Sequence, residues 1–157
     1  MYPLDPERLD WIRRHSRVQL DREGGWTFEE RPVENRRVSE LFHRGVRTGE
    51  AEGEFILQVG EQWCFIETVE DTAFFVSKLT RKENGTLEMT LLGGEVVGFG
   101  DTALSQAGDV DVYASLPDGR WARLLRDAVA ALAPLLVECD GGFGIALDGQ
   151  TRPISVE

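Results

Sequence analysis

The chain has 157 residues, a length typical of one domain or of two very small ones, and its formal net charge is −11 at pH 7. Residues 51–157 carry seven basic and eighteen acidic side chains, so their surface would repel the phosphates of a nucleic-acid polymer. No apolar run approaches the ~20 residues of a membrane span, since the longest, 128–137, is interrupted by Pro134. We therefore expect neither a nucleic-acid polymer nor a membrane as a partner.

The N-terminal residues predict a short helix followed by a β-hairpin. Asp5 as the N-cap and Pro6 at the first helical position should begin the helix, which is expected to end near Arg14. Apolar and polar residues then alternate over 18–20 and 26–28, as in two half-buried strands, and a glycine-rich turn separates the two segments.

A second helix is predicted between Asn35, its N-cap, and Gly49, which should close it. Its apolar positions follow the spacing i, i+3, i+4 and i+8, and they are Val38, Leu41, Phe42 and Val46. Arg44 and Arg47 lie on or beside the other face, and guanidinium groups match phosphate oxygens at contact distance. The alternative is an ordinary solvated face on which Glu40 and Arg44 form an i,i+4 pair.

Hairpins should follow this helix. Strands are predicted over 55–59 and 63–66, and two further strands, 74–80 and 87–92, flank the pair Asn84-Gly85. This pair favours a type I′ turn, in which both central residues have a positive φ.

Glu70 and Asp71 are the one compact pair of carboxylates, at the end of a strand expected to run over 62–69. Consecutive residues of a strand point to opposite faces, so only one of the two acids can enter a given pocket. We favour a structural role, in which a carboxylate accepts backbone N–H groups, over general acid/base catalysis.

The C-terminal part predicts a strand over 110–115, a long helix and a closing hairpin of 143–147 and 152–156 around Asp148-Gly149. The helix should begin at Asp118-Gly119 and extend to Leu136, with a kink at Pro134. One series of predicted elements occurs twice in the chain: a strand, a Gly-x-Trp turn, a helix and a strand that begins with Phe. This repeat predicts that segments 18–69 and 110–156 superpose as products of a duplication. The alternative is a chance recurrence in a β-rich chain.

Motifs for cofactors, metals and nucleophiles are weak. The glycines of Gly98-Phe99-Gly100-Asp101-Thr102-Ala103 fit a dinucleotide fingerprint, but that fingerprint needs a long helix after it. Cys64 and Cys139 stand alone, and the two histidines lie on separate helices without a third ligand. We expect no cofactor, no metal site and, because no secretory signal is evident, a cytoplasmic location.

The segment Val69 to Phe74 resembles the V-E-D-x-x-F segment of a bacterial family, domain of unknown function 1285 (DUF1285). Other segments resemble this family in the same order over residues 16–138; they are Gly25-Trp26, Arg31-Pro32-Val33, Leu41-Phe42, Phe55 to Val59 and Leu87 to Gly100. The chain departs from the family pattern at Gln62-Trp63 and over 144–154. The resemblance implies a duplicated core, a C-terminal half similar to pleckstrin-homology barrels, a nucleotide-like ligand between the halves and a role in signalling.

We predict an α+β fold of two mainly antiparallel halves, residues 1–70 and 71–157, each with one principal helix. The preferred function is non-enzymatic binding of a small anionic or nucleotide-like ligand, with Trp26 or Trp63 as a stacking surface. The candidate ligand-binding residues are Arg44, Arg47, Trp26, Trp63, Glu70, Asp71 and Phe74. The alternative is a protein-interaction module without a small-molecule site, and a third hypothesis is an enzyme with Glu70 or Asp71 as its base.

Overall fold

The chain separates into two compact units, Met1–Ala73 (unit 1) and Phe74–Glu157 (unit 2), in a computed structural model. Three α-helices and mainly antiparallel sheets among the residues that the structure describes give the α+β class that the sequence predicts. The structure describes residues 5–100, 102–108, 111–147 and 149–156. Within these ranges, no helix has the length and apolar character that crossing a membrane requires.

Unit 1 contains two helices and two small sheets in its described residues. The helices are α1 (Pro6–Arg14) and α2 (Arg36–Arg44). The strands are β1 (Val18–Leu20), β2 (Trp26–Phe28), β3 (Arg31–Pro32), β4 (Val46–Thr48), β5 (Phe55–Val59), β6 (Gln62–Phe65) and β7 (Thr68–Val69). One sheet has the order β3-β2-β1-β7, and the other has the order β4-β5-β6. Only β1 and β7 pair in parallel here.

Both helices of unit 1 begin where their N-caps predict. The Asp5 carboxylate accepts the backbone N–H of Glu7 at 2.9 Å, and the Asn35 side-chain oxygen accepts that of Val38 at 3.1 Å. Each cap satisfies a backbone donor that has no partner inside its helix.

Helix α2 ends earlier than predicted, at Gly45 and not at Gly49. Gln58 donates its backbone N–H to the Gly45 carbonyl at 2.8 Å, and a Cβ on Gly45 would lie only 2.2 Å from the Gln58 carbonyl oxygen. The chain therefore leaves the helix where it meets β5. Val46, predicted as the last apolar residue of the helix, begins β4 and is buried.

The single strand predicted over 62–69 is also wrong, because the chain changes sheets in the middle. The backbone N–H of Ile66 bonds to the Phe55 carbonyl in one sheet at 2.9 Å. The next N–H, that of Glu67, bonds to the Val18 carbonyl in the other sheet at 2.8 Å. Two short strands, β6 and β7, result.

In its described residues, unit 2 is one nine-stranded sheet with an α-helix packed on it. The strands are β8 (Phe74–Arg81), β9 (Leu87–Leu91), β10 (Val96–Gly98), β11 (Leu104–Ala107), β12 (Asp111–Ser115), β13 (Trp121–Leu124), β14 (Leu136–Cys139), β15 (Gly142–Leu147) and β16 (Gln150–Val156). Their order is β10-β9-β8-β13-β12-β11-β16-β15-β14, with parallel pairs at β8/β13 and β11/β16. Helix α3 (Arg126–Leu132) contacts β8 and β13 and buries Ala128 and Leu132 in the core.

The predicted hairpin of 74–80 and 87–92 is present as β8 and β9, but its turn differs from the predicted type I′. Gly85 has a φ of 86°, whereas Asn84 is not among the residues with a positive φ. The Gly85 N–H bonds to the Lys82 carbonyl at 2.9 Å, and the Lys82 N–H bonds to the Thr86 carbonyl at 2.8 Å. This is a three-residue loop that ends in a left-handed glycine.

The long C-terminal helix predicted from Asp118-Gly119 to Leu136 is wrong at both ends. Trp121–Leu124 is strand β13, which forms backbone hydrogen bonds with β12 and β8. A short 3-10 helix, Ala133–Leu135, holds Pro134, and Leu136 begins β14. Pairing with two neighbouring strands thus overrides an apolar spacing that also fits a helix.

The glycine-rich segment near Gly100 leads into a strand. Leu104–Ala107 forms β11 directly after it, so no helix N-terminus is available there for a pyrophosphate. Asp101 of that motif, Val110 of the predicted strand and Asp148 of the predicted closing turn lie outside the described residues.

The two units share an order of elements. In unit 1 the hairpin β1-β2 precedes α2 and the antiparallel set β4-β5-β6; in unit 2 the hairpin β12-β13 precedes α3 and the antiparallel set β14-β15-β16. Trp26 and Trp121 each begin the second hairpin strand, so the expectation that Trp121 begins a helix is corrected. Gly24 and Gly119 close the two turns with φ of 84° and 88°.

Candidate functional site

Trp26 belongs to the core of unit 1. Its side chain is 2% exposed, and its ring lies 5.5 Å from that of Phe42, edge on, and 5.2 Å from that of His43. A base could not stack on this ring without displacing α2.

His43 fixes α2 to the turn of the first hairpin. Its Nε2 lies 2.9 Å from the Gly24 carbonyl oxygen, which accepts the ring N–H. Burial disfavours the charged imidazolium and lowers the pKa of His43 to about 4. The histidine is therefore a neutral structural contact at pH 7.

The rotation of α2 leaves part of its apolar stripe in solvent. Because Phe42 and His43 face the hairpin, Val38 remains 37% exposed and Leu41 42% exposed. Arg37 and Arg44 stand on the same side, since residues at i, i+4 and i+7 share a helical face. We call this surface the α2 outer face; its residues are Arg37, Val38, Leu41 and Arg44.

The arginines of α2 have different environments. Arg36 pairs with Glu40 at 3.2 Å, in place of the predicted pair between Glu40 and Arg44. Within the described residues, Arg37 and Arg44 have no ion pair. Arg47 turns back: its Nη1 donates to the carbonyls of Arg44 at 2.7 Å and Val46 at 2.9 Å, near the C-terminus of α2.

Trp63 is covered by an arginine from α1. The Arg13 guanidinium lies 3.9 Å from the Trp63 ring centre, and the Arg14 guanidinium lies 4.2 Å from that of Phe65. This helix turns its arginines toward β6 and leaves Trp11 60% exposed. The sequence did not predict these contacts, because an amphipathic helix normally buries its apolar side.

Glu70 and Asp71 follow β7, and Phe74 is the first residue of β8. The Glu70 carboxylate accepts the backbone N–H of Arg22 at 3.1 Å, and Asp71 is exposed. Phe74 belongs to unit 2, where the Arg120 guanidinium lies 4.7 Å from its ring centre. The Glu70 contact is of the kind expected for a structural carboxylate, and the roles of both acids remain predictions.

Unit 2 has a concavity of about 450 Å³ between the loop after β10 and the turn after β12. Backbone groups supply much of its lining, and its polar side chains are Thr102 and Ser115. The Ser115 hydroxyl already accepts the N–H of Ala103 at 2.8 Å. Among the described residues, no cluster of His, Cys, Asp and Glu could hold a metal ion.

Among the seven predicted site residues, Arg47 contacts the backbone carbonyl of Arg44 at the end of α2. Trp26 lies on the hairpin side of that helix, and Trp63 lies under α1. Sequence reasoning missed the exposure of Val38 and Leu41. The signal in the sequence is the pair of polar residues Ser39 and His43, which lie beside Phe42 on the helix surface. They indicate that the buried side of α2 is centred away from Val38 and Leu41.

Taken together, the fold is that of a two-unit α+β protein in which one side of α2 exposes two apolar side chains beside two arginines. No protein-family model and no curated protein matches the chain. Two solved structures are similar to it. A DUF1285 family protein from Silicibacter pomeroyi DSS-3 has a TM-score of 0.66 and 20% identity, over 88% of this chain and 79% of that chain.

A DUF1285 family protein from Shewanella baltica OS155 has a TM-score of 0.53 and 18% identity, over 72% of this chain and 87% of that chain. At these identities the similarity shows a shared fold. Both of these similar structures are DUF1285 family proteins, in agreement with the resemblance to that family noted in the sequence. The family name denotes unknown function and assigns no activity.

Proposed function

We propose that this chain is a non-enzymatic protein-interaction module, and that unit 1 binds its partner through the α2 outer face. The exposure of Val38 and Leu41 carries this proposal. Exposed apolar side chains that are framed by polar groups are typical of protein interfaces, where arginine is enriched and lysine is depleted. The α2 outer face has this composition.

A selection experiment can test the proposal without a known partner. The immobilised full chain is used to select from a random peptide display library, in parallel with the variant Val38→Ser/Leu41→Ser. Both replaced residues are more than one third exposed, so the variant should fold normally. We expect the unmodified chain to enrich peptides with apolar anchors and the variant to enrich none.

A second variant, Trp11→Ser, controls for exposed apolar surface elsewhere in unit 1. It removes the most exposed large apolar side chain of α1 and leaves α2 intact. The proposed function is wrong if the unmodified chain enriches no peptides. It is also wrong if the Val38→Ser/Leu41→Ser variant enriches the same peptides as the unmodified chain.

A small anionic or nucleotide-like ligand is the second candidate. The exposed guanidinium of Arg44 favours it, because it has no ion pair within the described residues. The environments of Trp26, Trp63 and Arg47 favour the interaction module instead, since these groups already contact other parts of unit 1. Thermal unfolding with millimolar nucleotides at low salt tests this candidate: stabilisation that Arg44→Ala abolishes would support it, and its absence would contradict it.

We also propose that units 1 and 2 arose by duplication, which the shared order of hairpin, helix and three antiparallel strands supports. The glycine-closed turn alone is not specific, since β8-β9 has the same turn. An experimental structure in which β1 to β6 superpose on β12 to β16 would support the duplication, and unrelated strand directions would contradict it. The pleckstrin-homology similarity, the signalling role, the cytoplasmic location and the hypothesis of Glu70 or Asp71 as a base remain predictions.

A further inference from the structure

The α2 outer face lies in one of two basic stretches of the chain, residues 31–47; the other, residues 8–22, includes most of α1. Residues 31–47 contain five arginines but only two acidic residues, Glu34 and Glu40. The chain as a whole carries a net charge of −11, so the charge of residues 31–47 is opposite in sign to that of the whole chain. Such an asymmetry favours an oppositely charged partner at this place and orients its approach.

The two arginines of the face are available for a partner. Arg36 and Glu40 satisfy each other at 3.2 Å, and Arg47 donates to the carbonyls at the end of α2. Arg37 and Arg44 are exposed and, within the described part of the chain, form no ion pair. They stand seven residues apart, or about 10.5 Å along the helix axis, with Leu41 between them.

We infer that the partner of the α2 outer face is an acidic protein segment with an apolar anchor. This inference rests on the proposed function and specifies its partner. One apolar side chain of the segment packs between Val38 and Leu41, and carboxylates spaced about 10 Å apart, as at i and i+7 of a helix, bind Arg37 and Arg44. A mononucleotide fits the α2 outer face less well. The apolar residues of this face are the aliphatic Val38 and Leu41, and the face has no aromatic ring on which a base could stack.

Binding of a designed probe tests this partner chemistry. The probe is a fluorescent, covalently constrained helical peptide with two leucines on one face and glutamates at i and i+7 beside them. Matched peptides carry glutamine or lysine at the two glutamate positions. At 50 mM salt we expect the glutamate peptide to bind the full chain about 5- to 10-fold tighter than the glutamine peptide, and the difference to shrink at 500 mM salt. The lysine peptide should bind most weakly.

Variants of the chain then locate the charge effect. Arg37→Gln and Arg44→Gln should each reduce the preference for glutamate over glutamine by about 2- to 3-fold, and Leu41→Ser should abolish binding of both peptides. Arg36→Gln is the matched control: it makes the same change in net charge on the same helix, but Arg36 is paired with Glu40. We expect it to leave the preference unchanged.

The outcomes separate this inference from the proposed function. If the three peptides bind equally and Leu41→Ser abolishes their binding, the inference of an acidic partner is wrong, whereas the proposed interaction module is supported. The same loss in Arg36→Gln as in Arg44→Gln would reveal a general charge effect and also overturn the inference of an acidic partner. Concentration-dependent self-association that Leu41→Ser abolishes, in sedimentation velocity, would identify a second copy of the chain as the occupant. No binding of any peptide, together with no enrichment from the library, would overturn both.

Discussion

Helices α2 and α3 occupy corresponding places in their units but are held by different forces. Helix α3 buries Ala128 and Leu132 at 0% and 3% exposure in the core of unit 2. Helix α2 has no buried residue, and it is attached through the Phe42 and His43 contacts with Trp26 and through the bond from His43 to Gly24. The same order of elements can therefore produce a core helix in one unit and a surface helix in the other, depending on which face of the helix the sheet accepts.

Truncation of one leucine in each helix should give the largest difference. Leu132→Ala removes side-chain contacts from a packed core and should lower the free energy of unfolding by about 2–4 kcal/mol. Leu41→Ala, on the α2 outer face, should change it by less than about 0.5 kcal/mol. Urea unfolding followed by circular dichroism measures both. Equal losses would mean that α2 is a core helix after all.

Acidic pH should weaken the attachment of α2 through His43. The pKa of His43 is lowered in the folded protein to about 4 from 6.5, so the unfolded state binds the proton more readily. The stabilisation is thus complete above pH 6.5 and is lost as the pH falls from 6.5 toward 4. At pH 5 the loss attributable to this residue should be about 2 kcal/mol.

The control for this effect is His43→Gln, which keeps a side-chain N–H that can reach the Gly24 carbonyl but does not titrate. The difference in unfolding free energy between the two proteins is measured from pH 7.5 to pH 4.5. A difference that is independent of pH would show that His43 is not the responsible group.

The Glu70 contact with the Arg22 backbone should stabilise unit 1 to a smaller extent. Glu70→Ala leaves that N–H to water and should cost about 1 kcal/mol, seen as a lower melting temperature; Asp71→Ala, also predicted to be structural, should lower it as well. Substituting Glu83, an exposed acid in the turn between β8 and β9, provides a control for the charge change. An unchanged melting temperature with loss of ligand binding or turnover would assign the two acids a functional role.

The substitutions Arg47→Ala and Arg44→Ala should differ by a few tenths of a kcal/mol in their effect on the stability of α2. Arg47→Ala removes the guanidinium that bonds to carbonyls at the end of α2 and should destabilise this helix by about 0.5 kcal/mol. Arg44→Ala should leave stability unchanged, because its guanidinium extends from the α2 outer face into solvent. Amide hydrogen exchange of α2 residues provides the measurement, and greater protection loss in Arg44→Ala than in Arg47→Ala would contradict this assignment.

Local features of the fold were predictable because they depend on neighbouring residues. The caps Asp5 and Asn35 and the left-handed Gly85 satisfy requirements set within a few residues of each position. The end of α2 was not predictable in this way, because Gly45 is fixed by its contact with Gln58, thirteen residues away. Arg44 was expected on or beside the face opposite the apolar stripe, but it lies on the same side of α2 as Leu41, which is 42% exposed.

The sequence by itself determined the hairpins, the starts of the first two helices and the acidic character of the chain. Only the tertiary structure decided that Trp121–Leu124 is a strand and that Val38 and Leu41 face solvent. An apolar spacing states which side of a segment is apolar, but not whether a sheet or a helix will cover that side. For β13, two neighbouring strands supply the hydrogen bonds. For α2, the rings of Phe42 and His43 fill the space against Trp26 and turn the remaining apolar side outward.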